Sequence, residues 1–132
     1  MRVLVDTNIL FSAVLFPRSK PAKTLQHVAN CHQIVLCDRN IVELREILKR
    51  KAPELLPDAN TMLAKLPYEL IPAVSYGGKL MRDPKDQPIL NAAIVWNVDV
   101  ILTGDKDFLC LDLERPKCMT VAQFLQTENI EE

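Results

Sequence analysis

No stretch of this chain stays apolar for the roughly 18 residues that a membrane-spanning helix needs, which excludes a helical membrane protein. The amino-terminal run also lacks a basic leader and a small-residue cleavage motif, because Asp6 interrupts it at once; a cytoplasmic location is expected. Cysteine is sparse. Cys31, Cys37, Cys110 and Cys118 form no C-x-x-C pair and have no histidine at zinc-finger spacing, so they are read as reduced thiols packed as small hydrophobes. His27 and His32 do not share a helical face as residues four apart would, and both are read as incidental. An excess of positive charge is missing too: the net charge of −1 excludes a surface that attracts polyanions everywhere. Only local basic clusters remain (Arg18, Lys20 and Lys23; Lys49, Arg50 and Lys51; Lys79, Arg82 and Lys85), each of the kind that a solvated face explains. Repeats and low-complexity tracts are absent, and 132 residues suit one domain, expected over residues 1–126 with a polar tail at 127–132.

What the chain does have is an alternation of strand and helix patterns. Arg2–Val5 and Gln33–Cys37 read as buried strands, residues 68–74 as a third that Pro72 pushes to a sheet edge, residues 99–103 as a fourth and residues 117–120 as a short fifth. Between them, residues 7–16 form a helix stopped by Pro17, and Ser19 caps a second helix with Pro21 in its first turn. Asp38 is expected to cap a third, with Ile41, Leu44, Ile47 and Leu48 as its apolar stripe. A fourth runs over residues 58–66. Residues 75–86 read as loop, with the paired Gly77 and Gly78; residues 86–97 are apolar nearly all round and predict a buried helix. Thr120 and Gln123 make a capping box for a last helix at 121–126. Strands separated by helices imply a parallel sheet covered on both faces, with ligands at the carboxyl ends of its strands.

Acids stand at such ends. Asp6 follows Val3-Leu4-Val5, and Asp105 follows Ile101-Leu102-Thr103-Gly104, with Asp107 two residues on; Asp86 opens the apolar helix, and Glu43 or Glu46 of the third helix completes a set. Each has a structural reading: Asp38 and Asp86 as helix caps, Glu46 paired with Arg50 one turn on, Asp83 as a turn former before Pro84. If the sheet gathers the others, two unit charges about 4 Å apart repel by roughly 4 kcal/mol at an effective dielectric near 20. A divalent cation removes that penalty, and an all-oxygen cage selects a hard ion, Mg²⁺ or Mn²⁺.

The segments "VLVDTNIL", "VELREIL", "RDPKDQPILNAA" and "VILTGDKDF" resemble, in order, the four acidic motifs of PIN-domain ribonucleases, and most closely those of the VapC-like toxins of toxin–antitoxin pairs. Cys37-Asp38 replaces the family's usual Ser-Pro before the second motif, a departure that touches no acid. The resemblance implies a Rossmann-like, three-layer α/β/α sandwich with a parallel sheet of about five strands. It further implies a Mg²⁺- or Mn²⁺-dependent endoribonuclease whose catalytic and metal-holding acids are Asp6, Glu43 (rather than Glu46), Asp86 and Asp105, with Asp107 a candidate addition. Thr7 and Asn8 would help to hold Asp6, Thr103 would shape the end of the fourth strand, and Arg82, Lys85 and Lys106 would meet RNA phosphates. It implies an RNA substrate, a homodimer and an antitoxin partner laid into an apolar groove; Phe11, Leu15, Leu44 and Leu48 are candidates for that groove, with ordinary core the expected place of most of them. Two other readings stand beside it. One is a PIN-like module that binds RNA or protein without cutting, which the retained acids argue against. The other is a receiver-like regulatory domain, which needs an Asp after the third strand and a Lys after the fifth, where this chain has "SYGGK" and "VAQF".

Overall fold

Five parallel strands in the order β3-β2-β1-β4-β5 form the spine of the computed structural model, which describes residues 1–75, 81 and 84–130. The strands are β1 (Arg2–Val5), β2 (Gln33–Cys37), β3 (Tyr68–Ile71), β4 (Val100–Leu102) and β5 (Lys117–Met119). The helices are α1 (Thr7–Leu15), α2 (Lys20–Cys31), α3 (Asp38–Lys51), α4 (Leu56–Lys65), α5 (Gln87–Val95), α6 (Lys106–Leu109) and α7 (Val121–Thr127). Because side chains alternate across a strand, Val3 and Val5 of β1 point into a core with α1, α2, α3, α4 and α7, whereas Leu4 points into a second core with α5 and α6. The same alternation sends Ile34 and Leu36 one way and Val35 and Cys37 the other. The result is the expected three-layer α/β/α sandwich.

The chain leaves β1 towards β2 on one side, and β4 adds on the other. The strand order therefore reverses at β1, and a crevice opens between the carboxyl ends of β1 and β4. Asp6 lies at one lip and Gly104-Asp105 at the other, tied by the Asp6 amide donating to the Leu102 carbonyl at 2.9 Å. Pro72 follows immediately after β3, which is an edge strand as its missing N–H requires. Ser19 and Thr120 cap α2 and α7 through their hydroxyls.

Several local expectations change. Asp38 is the first residue of α3, not its cap; Cys37 takes that place, its N–H donating to Asn40 Oδ1 at 3.0 Å, while the Asp38 carboxylate accepts from the Ala73 amide. The fourth helix starts at Leu56, after a 3₁₀ turn over Pro53–Leu55, because Pro57 fits a first helical turn. The apolar helix α5 is buried only through Ala93: Ile94, Val95 and Trp96 are exposed at its end. A short α6 follows Asp105, and α7 runs through Thr127, into the stretch expected as tail. Of the groove candidates, Leu44 and Leu48 take the core place expected of most and are fully buried. Gly77, Gly78, Arg82 and Asp83 lie outside the described residues. No helix is long and apolar enough to cross a membrane among the described residues.

Candidate active site

The crevice at the strand reversal is a cavity of about 580 Å³ whose wall includes Asp6, Glu43, Asp86 and Asp105. Four separate segments deliver them: the end of β1, the middle of α3, the turn before α5 and the end of β4. Asp86, Asp105 and Asp107 each offer a carboxylate oxygen within 4.8 Å of the others. Asp86 occupies the cap position of α5 without capping it by its side chain, so the helix-cap reading does not account for it. Glu46 and Arg50, read as a surface pair, both line the cavity.

Hydroxyls and amides position the acids. Thr103 Oγ1 donates to Asp6 Oδ2 at 2.9 Å and accepts from the Asp105 amide at 3.0 Å, so one buried side chain joins two acids. Asp105 Oδ1 then accepts from the Asp107 amide at 2.9 Å, which starts α6. Thr7 serves Asp6 through its backbone N–H, but its hydroxyl donates to Glu43 Oε2 at 3.0 Å. Asn40, fully buried, donates through Nδ2 to Thr7 Oγ1 at 3.1 Å. Asn8 is exposed on the cavity wall.

Asn40 thus holds a cap and the Glu43 relay with one amide. Its replacement by alanine leaves the Cys37 N–H buried and unpaired and removes the donor to Thr7. We expect Asn40→Ala to cost about 2–3 kcal/mol in a urea melt; a loss under about 0.5 kcal/mol would show that the relay carries no stability.

The electrostatics are those of crowded carboxylates. Burial raises the Asp6 carboxyl to about 6, with the neighbouring Asp105 and Glu43 charges adding to the rise and the bonds from Thr103 and Thr7 opposing it. Glu43 is raised as well, first by burial and then by Glu46, against the Thr7 hydroxyl, Arg39 and Lys85. Arg39 was not singled out in the sequence, although it stands one turn before Glu43 on the same face of α3. Lys85 lines the cavity, whereas Lys106 is exposed on α6 and does not.

No curated protein matches the chain. Among solved structures it is similar to that of VapBC2 from Rickettsia felis bound to a DNA fragment from their promoter, at 18% identity with a TM-score of 0.72. That match covers 91% of this chain and 98% of the other, a likeness of fold. The family model described as PIN domain matches residues 2–107. That span runs from β1 through the Asp105–Asp107 turn and takes in every wall of the acidic cavity, and the chain belongs to the PIN domain family.

Proposed function

We propose that the chain is a divalent-metal-dependent endoribonuclease, hydrolysing RNA phosphodiester bonds as the toxin of a type II toxin–antitoxin pair. The observation that carries this reading is the convergence of carboxylates from four separate segments on one open cavity at the strand reversal. The donor set fits a hard cation: it is all oxygen, and the Asp105 and Glu43 charges raise the proton affinity of Asp6. Asp6, Glu43, Asp86 and Asp105 would hold the ion, with Asp107 beside them. Once bound, Mg²⁺ or Mn²⁺ supplies Lewis-acid polarisation of the scissile phosphate and a lowered pKa for water.

The protein's own groups do the rest. Thr103 and the Thr7–Asn40 relay fix the Asp6 and Glu43 carboxylates so that neither must reorganise as charge develops. Arg39, Arg50 and Lys85 give the cavity a cationic rim that meets the phosphates flanking the scissile bond, a local attraction that the overall charge of −1 does not forbid. Asp105 or Asp107 orients the attacking water. No histidine lines the cavity among the described residues, so a 2′-hydroxyl attack run by an imidazole pair finds no groups there. Water attack that breaks the bond from phosphorus to the 3′ oxygen leaves a 5′-phosphate and a 3′-hydroxyl.

An antitoxin would find apolar surface at the end of α1, where Leu15, Phe16 and Pro17 line a shallow hollow and Phe16 is 62% exposed. The likeness to VapBC2 supports an antitoxin partner, and a homodimer belongs to the same proposal. The reading as a binding module predicts RNA retention without cutting. Incubating labelled RNA with the protein in Mg²⁺, Mn²⁺ or EDTA separates the two. We expect new 5′-phosphate ends with either metal and none in EDTA; intact RNA in both metals, or cutting that survives EDTA, would overturn the nuclease.

A further inference from the structure

The opposite end of the sheet carries a second constellation. His27 lies in α2, His32 is the extended residue that ends it, and Glu128 ends α7. Both imidazole Nε2 atoms meet one atom, Glu128 Oε1: His27 at 3.0 Å and His32 in a still closer contact. Their five-residue spacing suggested no shared face. It fails as a guide because α2 stops at Cys31, and the extended backbone of His32 brings its ring to 5.9 Å from that of His27, edge to face at 67°. Both rings also stand edge to face on the fully buried Phe124, at 6.2 and 5.9 Å, which holds them in place.

From this geometry we infer a second metal site, in which His27 Nε2, His32 Nε2 and Glu128 Oε1 bind a divalent transition ion of the zinc class. All three ligand atoms lie within 4.8 Å of one another. Ligand bonds of about 2.0–2.1 Å place neighbouring donors of a zinc tetrahedron roughly 3.3 Å apart, so small side-chain adjustments suffice. Two imidazoles and one carboxylate are a borderline set that prefers Zn²⁺, Co²⁺ or Ni²⁺ to Mg²⁺, the reverse of the acidic cavity. The side chains are 25%, 13% and 20% exposed, open enough for an ion to enter and keep a water in its fourth position. Groups behind the rings orient them: the Met1 amino nitrogen is 3.1 Å from His32 Nδ1, and Cys31 Sγ is 3.8 Å from His27 Nδ1. Without metal, the Met1 amine donates to Nδ1 of His32 and its Nε2–H donates to Glu128. An ion at His32 Nε2 moves that ring's hydrogen to Nδ1, from where it donates to the Met1 nitrogen as the amine gives up a proton, so binding releases a proton and tightens as pH rises.

The site is remote from the nuclease cavity. Asp6 follows the carboxyl end of β1 and His32 precedes the amino end of its neighbour β2, and the four residues of β1 span roughly 13 Å. A bound ion would clamp α7 to the junction of α2 and β2 and stabilise the fold by mass action. The inference is independent of whether the chain cuts RNA.

The test is calorimetric titration of ZnCl₂ into chelator-treated full-length protein, with Mg²⁺ in excess to saturate hard-ligand sites. We expect about one Zn²⁺ per chain in the wild type, unchanged in Asp105→Asn, and binding weakened by more than about 100-fold in His27→Gln and His32→Gln. Binding unaltered in both glutamine variants, lost in Asp105→Asn, or undetectable at micromolar zinc in the wild type would overturn the site. Should a glutamine variant fail to fold, the wild type decides alone: zinc-dependent shifts of both imidazole Nε2 resonances support the site, and unmoved resonances refute it.

Discussion

An Asp6→Asn protein is expected to fold as the wild type does and to cut RNA about 10²–10³-fold more slowly at saturating Mn²⁺. Asparagine fills the same volume and its side-chain oxygen still accepts from Thr103, so the β1–β4 lip keeps its geometry. What disappears is the negative charge of the acid whose carboxyl feels both Asp105 and Glu43. Cation affinity and the placement of charge around the scissile phosphate both fall with it. Single-turnover cleavage of an end-labelled RNA measures the rate, and a thermal melt establishes that the variant is folded. A folded variant within threefold of the wild-type rate would remove Asp6 from the machinery and, with it, the proposed centre.

The alternation of apolar strand and amphipathic helix was legible because it is written in local chemistry. Val3-Leu4-Val5 and Ile101-Leu102 are too apolar to face water, Pro17 and Pro72 stop what precedes them, and Ser19 and Thr120 sit where helix amides need acceptors. The acids stood out for a related reason: a carboxylate directly after a buried strand is costly unless something compensates. Strand order was not legible, since the placement of β4 beside β1 depends on contacts between residues about a hundred positions apart. Yet that placement turns two strand ends into one crevice.

The remaining differences trace to tertiary partners. Nothing local in "LCDRN" distinguishes Asp38 from Cys37 as the cap; the choice follows from Asn40, whose amide is pinned by Thr7 from the far side of the site. The resemblance gave Thr7 as a support for Asp6, and its backbone N–H does serve that acid, but its hydroxyl serves Glu43, thirty-six residues away. The apolar run of α5 predicted burial on all sides, and the fold covers it only where the sheet reaches. The histidines were set aside on helical periodicity, which stops applying at the residue where the helix ends. The acid motifs were read through their resemblance to the family, which chose Glu43 where spacing left Glu46 open, and both side chains line the cavity.

In the absence of metal, stability should fall as pH rises from about 4 to about 6, and the Asp6 carboxyl should account for most of the fall. Its unfolded value is near 3.8 and its folded value about 6, so within that window the folded chain binds more protons than the unfolded one. The contribution is therefore complete below the unfolded value and is lost as pH passes the folded one. Its size is on the order of 3 kcal/mol, and Glu43, also raised by burial, acts in the same direction. Asp99 and Glu128, held low by hydrogen bonds from the Arg2 amide and the two histidines, act in the opposite sense, so the comparison that isolates the effect is with Asp6→Asn. In EDTA, the wild type should lose about 10 °C in Tm relative to that variant between pH 4 and pH 7. Mn²⁺ at pH 7 should return most of the loss to the wild type and little to the variant, because the ion removes a repulsion that the amide never had. A difference in Tm that does not change with pH would mean that Asp6 is solvated in the folded chain, and that its neighbours do not crowd it enough to demand a cation.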